Sequence, residues 1–269
     1  MNKFKTIGIW TICIILMAAF GIYQRMTGPT YPISGSVTIN SQNIDFILLR
    51  TYNTGSPAPV SIFVPDKSVN GFVKFKRHPS QDPFQTVDMV RKVDSLTFSL
   101  PQLDAAGKIM YHVILKPETG KEVIINETPA ILRYKGAVPT GILVLHVFFI
   151  FFSMVLSTRT GIEAMLNRNN SFKLLLWTLG FLILGGMVFG PIMQKYAFGA
   201  YWTGWPFGHD LTDNKTFISL AMWFIALWRM RKNPPAKGWI IAAAVVQIAI
   251  FLIPHSVLGS QIDYSQQPK

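Results

Sequence analysis

The chain has 269 residues, of which 50% are hydrophobic, 13% aromatic and only 14% charged. This composition, with long apolar runs, is typical of a membrane protein and argues against an ordinary soluble domain. The formal net charge of +12 does not indicate nucleic-acid binding, because many lysines and arginines flank apolar segments, where they set membrane orientation. We therefore expect the lipid bilayer, and no nucleic acid, as a partner.

The first segment, residues 1 to 29, begins with the basic MNKFK and continues into a mostly apolar run over residues 6 to 23. A helix of this length spans about 27 Å, close to the thickness of the bilayer core. Because no clean A-x-A cleavage site follows, we expect an uncleaved N-terminal anchor. The only cysteine, Cys13, lies in this run, which excludes a disulfide framework and a cysteine-based zinc site.

Residues 30 to 135 have a different character. Short alternating stretches, among them SGSVTI, FILLR, VSIFV and GFVKFKR, are separated by Pro, Gly, Asn and Asp. Alternation of this kind is typical of β-strands. About seven such strands in roughly a hundred residues favour an antiparallel sandwich in this segment.

One stretch of this segment, LPQLDAAGKIMYHVIL at residues 100 to 115, resembles the entry to the sixth strand of immunoglobulin-like and fibronectin type III-like domains. Tyr111 stands where those domains have their corner tyrosine, and Val113 and Leu115 are expected to point inward. The resemblance covers this domain alone and lacks the characteristic Cys and Trp; the whole chain matches no named family. It implies an adhesion or packing role rather than chemistry.

Residues 136 to 269 contain four further apolar runs: 138 to 156, 174 to 193, 216 to 228 and 239 to 253. The third is short for a bilayer, so we expect its helix to begin near Asp213 as the N-cap residue. Gly186 and Gly190, spaced as G-x-x-x-G, would allow a second helix to approach closely. The sequence thus predicts a membrane α-helical protein of about five transmembrane helices with an inserted all-β, immunoglobulin-like sandwich domain.

Orientation follows from the basic residues near the ends of the predicted spans. Those expected on the cytoplasmic side are Lys3, Lys5, Arg159, Arg168, Lys173, Arg229, Arg231, Lys232 and Lys237. By the positive-inside rule, the N-terminus is cytoplasmic, and the β domain, the loop 194–215 and the C-terminus are extracytoplasmic. We expect a multi-pass protein of the inner (cytoplasmic) membrane.

The loop at residues 194 to 215 combines aromatic and charged residues. Tyr201, Trp202 and Trp205 suit an interfacial aromatic belt, since their rings are apolar and their tips polar. That interpretation leaves the charged and titratable residues of the same face unexplained: His209, Asp210, Asp213, Lys215 and, in the C-terminal tail, Asp263. A turn and a helix cap would account for Asp210 and Asp213.

Two histidines of the spans are predicted near the same face. His146 lies about 10 Å, and His255 about 6 Å, below the outer edge of the bilayer core, counting 1.5 Å per residue. With His209 and Asp210 they form a candidate site for a metal ion, and His146 with His255 could ligate a haem b between helices. The alternatives are a helix-to-helix hydrogen bond for His146 and a helix C-terminus for His255.

These observations leave three functions open. The first is an outer-face His/Asp pocket that binds a metal ion or haem, with the sandwich docking an extracytoplasmic protein. The second is an accessory or assembly subunit with no ligand, in which the loop only locks helices together. The third, an intramembrane metal-dependent hydrolase with a zinc-bound water beside Asp210, lacks any metal-binding motif.

Overall fold

The computed structural model describes residues 3 to 168 and 170 to 265. The chain divides into two compact units. A helical unit contains the chain up to Pro29 and Val138–Ser260, and a β unit contains Thr30–Ala137 together with the segment that begins at Gln261. The sequence-based division placed that last segment with the helices, but its backbone joins the β unit: the Ile262 amide donates to the Ala106 carbonyl and the Tyr264 amide to Pro79.

Among the described residues, the helical unit has six α-helices, α1 (Lys3–Thr27), α2 (Thr140–Met165), α3 (Ser171–Leu182), α4 (Gly190–Phe198), α5 (Leu211–Lys232) and α6 (Lys237–Leu252), and a π-helical segment, Ile183–Phe189, that joins α3 to α4. Three of these stretches are long and apolar enough to cross a membrane: α1, α2 and the continuous run Ser171–Phe198. The α6 helix is apolar but shorter. The protein therefore has the helices of a membrane protein.

Helix α2 continues well past residue 156, where its apolar run was expected to end. The added turns contain polar residues that are buried inside the unit, among them Ser157, Thr160 and Glu163. Thr160 Oγ1 lies 3.2 Å from Thr178 Oγ1 of α3, so the polar turns pack against another helix. The end of α2 expected from hydropathy was too early, because hydropathy does not take contacts between helices into account.

Glycines in the π-helical segment allow the helices to approach closely. A Cβ on Gly186 would lie 2.5 Å from Thr216 Cγ2 of α5, so this glycine lies against a neighbouring helix. A Cβ on Gly185, which the G-x-x-x-G spacing did not indicate, would lie 2.8 Å from the Ile150 amide nitrogen of α2. Gly190 makes a looser contact, since its Cβ would lie 3.6 Å from His146 Cε1.

A buried polar chain links three helices near the middle of the unit. Trp223 Nε1 of α5 donates to Gln247 Oε1 of α6 at 2.5 Å, and Gln247 Nε2 donates to Ser153 Oγ of α2 at 3.3 Å. All three side chains are fully buried. Such interhelical hydrogen bonds hold helices in register where the surroundings are apolar.

In the part of the β unit that the structure describes there are eleven strands: β1 (Ile33–Ile39), β2 (Gln42–Leu48), β3 (Thr51–Asn53), β4 (Ala58–Phe63), β5 (Val69–Arg77), β6 (Gln85–Asp88), β7 (Val90–Lys92), β8 (Ser95–Leu100), β9 (Lys108–Pro117), β10 (Val123–Ile124) and β11 (Ala130–Lys135). They form a β1–β2 hairpin, a sheet in the order β3-β11-β9-β5-β6 with β10 also on β9, and a sheet in the order β4-β8-β7. β3 and β11 pair in parallel, and the other described pairs are antiparallel.

One hydrophobic core is shared by all three sheets of the β unit. The core follows from the alternation of the strands: along β4 buried and exposed residues alternate, with Val60 and Ile62 facing inward. Val113 and Leu115 are fully buried, as the sequence predicts. Tyr111 is also buried, and its hydroxyl donates to the Leu49 carbonyl at 2.8 Å, so it ties β9 to the end of β2 rather than closing a local corner.

Candidate functional site

The aromatic-rich loop between α4 and α5 carries the densest polar cluster of the helical unit. Asp210 is the N-cap of α5: its Oδ1 accepts from the Thr212 amide at 2.8 Å. The prediction that Asp213 caps this helix is therefore wrong. A capping carboxylate must reach an amide two or three residues ahead, and the helix begins at Leu211, before Asp213.

Asp213 points instead from the first turn of α5 back to the loop. Its Oδ2 accepts from the Thr203 amide at 2.6 Å, from the Gly204 amide at 2.9 Å and from Gln194 Nε2 of α4 at 3.1 Å. The carboxylate is buried, with 7% of the residue exposed. Asp213 thus joins the end of α4, the loop and the start of α5.

The second oxygen of Asp210 joins the loop to the segment after α6. Oδ2 accepts from the Ser260 amide at 2.7 Å and from Ser260 Oγ at 2.6 Å. Thr203 Oγ1 lies 2.7 Å from Ser260 Oγ and accepts from Gln194 Nε2 at 2.6 Å. Thr203, Ser260 and Gln194 are therefore central to the cluster, although such common polar residue types do not stand out in a sequence.

Two glycines let the loop fold over the helix start. A Cβ on Gly204 would lie 2.5 Å from Asp213 Cβ, and a Cβ on Gly208 would lie 2.4 Å from the Thr203 carbonyl oxygen. Real Cβ atoms do not come this close, so a larger residue at either position would force the backbone to move. These glycines are the feature of the sequence that indicates a tightly folded loop.

Lys215, on the second turn of α5, is 3% exposed. Its Nζ donates to the Ile253 carbonyl at 2.7 Å and to the Pro254 carbonyl at 3.2 Å. These carbonyls belong to the C-terminal end of α6, where backbone carbonyls lack helical partners and a cation is favoured. Lys215 therefore caps α6 and holds it against α5.

The three histidines are not arranged as a shared ligand set. His146 Nδ1 lies 2.9 Å from the Gly185 carbonyl, which also accepts from the amide of Gly190, the first residue of α4. The His255 residue is exposed, and its ring packs edge-on to Phe251. His209 is exposed on the loop.

The aromatic residues of the loop lie on its surface. Trp205 is 63% exposed, and its ring packs 5.7 Å from that of Phe217. Trp202 Nε1 donates to the Trp205 carbonyl at 3.1 Å, and Lys195 Nζ lies 5.5 Å from the centre of the exposed Tyr201 ring. This exposure is what the predicted aromatic belt requires.

Asp263 does not join the cluster. It belongs to the β unit, is exposed, and accepts only locally from the amide and hydroxyl of Ser265. The sequence placed it near the loop because it treated the C-terminal tail as part of the helical region.

The electrostatics of Asp210 favour its charged form. Burial alone would raise the pKa of this carboxyl, but hydrogen bonds from Ser260, Thr212 and Thr203 outweigh burial and hold the pKa below its usual value. A carboxylate with this many donors is stable as an anion without a metal ion.

The chemistry available to the cluster follows from these contacts. Within residues 3 to 168 and 170 to 265, no group of three or more His, Cys, Asp and Glu side chains could hold a metal ion. The carboxylates are occupied by protein donors, and the imidazoles of His146 and His209 face different surroundings. The hydrogen bonds of the cluster instead hold α4, α5 and the end of α6 together.

No family model matches the chain, and no curated protein matches it. This confirms the expectation that the whole chain matches no named family.

Proposed function

We propose that this chain is a multi-pass protein of the cytoplasmic membrane that acts as a non-enzymatic accessory or assembly subunit. One observation carries the proposal: both buried carboxylates of the loop accept several hydrogen bonds from donors of the chain itself, Asp210 through both oxygens and Asp213 through Oδ2. A site that binds a metal ion needs ligand atoms free to coordinate it. The loop of this chain uses those atoms to lock its helices.

The proposed topology has five spans, with α5 and α6 as the fourth and fifth. Their lengths, about 33 Å and 24 Å at 1.5 Å per residue, are compatible with a bilayer core of about 30 Å. The charged residues in the first turns of α5, Asp213 and Lys215, are buried against protein, so they would not face lipid. The loop and the β unit are assigned to the extracytoplasmic side by the positive-inside rule alone.

The basic residues that define the proposed cytoplasmic side gather at one end of the helical unit. Lys237, at the start of α6, donates to Asn167 Oδ1 beyond the end of α2. Arg168 lies in the same segment and pairs with Glu163 at 3.1 Å. The loop with Asp210 joins the opposite ends of the helices, which supports a single orientation for all of them.

We assign partner docking to the β unit, which we take to be an immunoglobulin-like sandwich because its sheets share one core. Strands β6 and β7 are edge strands of their sheets and follow each other in the chain. Exposed apolar side chains line this stretch: Phe84, Val87, Val90 and Val93. Edge strands with apolar side chains are a common surface for binding another protein chain.

Metal and haem content of the purified full-length protein separates this proposal from the metal, haem and hydrolase alternatives. We expect no stoichiometric Zn, Cu or Fe and no Soret band. Stoichiometric metal that disappears in His209→Ala, or a Soret band that disappears in His146→Ala, would refute the subunit role. Asp263→Ala serves as the control because its side chain bonds only within its own turn.

Partner docking is tested by a photocrosslinking residue at Val90 in the native membrane, with Ser36 of β1, also exposed, as the control position. We expect one defined protein to crosslink from position 90 and not from position 36. Deletion of the chain should then lower the amount of the assembled complex that contains this protein. Equal crosslinking from both positions would contradict docking through the β6–β7 edge.

A further inference from the structure

The basic end of the helical unit contains a cleft of about 400 Å³ between α1, α2 and α3. Its walls are apolar and mostly aromatic: Trp10 of α1, Phe152 and Leu156 of α2, and Leu174, Trp177 and Phe181 of α3. Pockets that hold small organic ligands typically measure about 300 to 1,000 Å³ and are lined in this way. The cleft is therefore large enough for part of a ligand.

The cleft has one polar end. Asn170 and Lys173, at the start of α3, line it, whereas Phe181 lies about 16 Å further along the helix at 1.5 Å per residue. Lys173 is exposed, and the Asn170 side chain makes no capping hydrogen bond to a described residue. The first-turn amides of α3 and the Lys173 ammonium thus form an electropositive end.

A second charged group lies next to the cleft. The Arg159 guanidinium faces the Trp10 ring, 5.4 Å from its centre, and pairs with Glu163. The same carboxylate also pairs with Arg168, so two cations share one anion. Arg159 is 2% exposed, and its Nε and Nη1 have no hydrogen-bond partner in the described part of the chain. This end of the unit therefore carries an excess of positive charge.

We propose that the cleft binds one acyl chain of an anionic phospholipid, with the phosphate of the headgroup at Lys173 and the start of α3. The geometry matches such a lipid: a long apolar wall of helices that are suited to cross a membrane, ending at cationic and amide donors. A zwitterionic lipid fills the apolar part equally well but gains less from the cationic end. The inference depends on the membrane location of the helices and not on the accessory-subunit role.

The test uses the full-length protein in nanodiscs and the quenching of tryptophan fluorescence by brominated lipids. Brominated phosphatidylglycerol is expected to quench more strongly than brominated phosphatidylcholine. The ratio of the two affinities should be about fivefold, since one cation near a headgroup contributes about that factor. In Lys173→Gln this ratio should fall to about one. It should persist in Arg231→Gln, which removes an exposed cation from α5 at the same end of the unit.

Two further variants distinguish lipid binding in the cleft from a general electrostatic attraction of anionic lipids to the protein surface. Trp177→Phe should reduce the selective part of the quenching and leave the part from Trp10, because both tryptophans line the cleft and Trp177 is 54% exposed. Leu156→Trp should fill the cleft and remove the preference while Lys173 remains. Equal quenching by the two lipids in the unmodified chain, or an equal loss in Lys173→Gln and Arg231→Gln, would overturn the proposal. Neither outcome bears on the metal-content and crosslinking tests of the subunit role.

Discussion

The Asp213→Ala substitution is the sharpest test of the loop as a helix lock. It removes the acceptor of the Thr203 amide, the Gly204 amide and the Gln194 side chain together. These donors lie in a region where Gly204 and Gln194 are buried. Water therefore cannot replace the carboxylate without opening the loop.

The expected loss of stability follows from these three contacts. A buried donor left without a partner costs about 1 to 3 kcal/mol. The two backbone amides lose their acceptor, whereas Gln194 Nε2 still donates to Thr203 Oγ1. Because the donors share one acceptor and are not independent, we expect a total of about 3 to 5 kcal/mol rather than the full sum. For a unit of this size the midpoint of thermal unfolding should fall by about 6 to 20 °C.

Tryptophan fluorescence reports this loss selectively. The chain has 7 tryptophans, all of them outside residues 30 to 137 and 261 to 269, so their emission follows the helical unit and not the β unit. Thermal unfolding in detergent is compared for the unmodified chain, Asp213→Ala and the exposed control Asp263→Ala. If Asp213→Ala and Asp263→Ala unfolded at the same temperature, the three contacts would not hold the helices together.

Three other predictions follow from individual contacts. Because the pKa of Asp210 is lowered in the folded chain, its contribution to stability is present above the usual carboxyl pKa and is lost as the pH falls through the folded value; Asp210→Asn should flatten the pH dependence of helical unfolding below about pH 4. Gly208→Ala should increase protease cleavage in the loop, since its Cβ would collide with the Thr203 carbonyl, and unchanged cleavage would show that the loop adapts. Tyr111→Phe should cost about 0.5 to 1.5 kcal/mol by removing the bond to the Leu49 carbonyl, seen as faster hydrogen exchange in β9 with unchanged tryptophan unfolding.

The strands that the sequence indicated were those with one buried and one exposed face. The alternation of β4 and of GFVKFKR in β5 is visible in the sequence because each second residue enters the core. β6 was not recognised, and the structure explains why: all four of its residues are exposed, so no alternation exists. β3 and β7 are three residues long, too short for a period of two to be detected.

The helices could be located from hydropathy, but their ends could not. α2 continues through residues 157 to 165 because other helices bury its polar turns, a tertiary effect. Gln247, a polar residue inside the last apolar run, bonds to Trp223 and Ser153 of two other helices. The π-helical segment Ile183–Phe189 was not anticipated, since its composition is that of any apolar helix.

The candidate site illustrates what residue types alone leave undecided. The sequence singled out Asp210, Asp213 and Lys215 as charged residues in need of an explanation, and each has hydrogen-bond partners within the chain. The sequence suggested metal ligands because it could not show that the donors are backbone amides and the hydroxyls of Thr203 and Ser260. Backbone amide donors in a loop cannot be recognised from the residue types of the sequence.

The buried charges at the two ends of the helical unit are balanced in different ways, and the difference indicates where a ligand belongs. At the loop end, the carboxylates accept from the chain's own donors and Lys215 donates to two carbonyls. At the basic end, Arg159 shares Glu163 with Arg168 and leaves two guanidinium nitrogens without a partner among the described residues. Arg159 is paired, but a buried guanidinium whose remaining nitrogens lack acceptors is costly in a membrane. This difference is why we place the proposed anionic ligand at the basic end of the helical unit and no cation at the loop end.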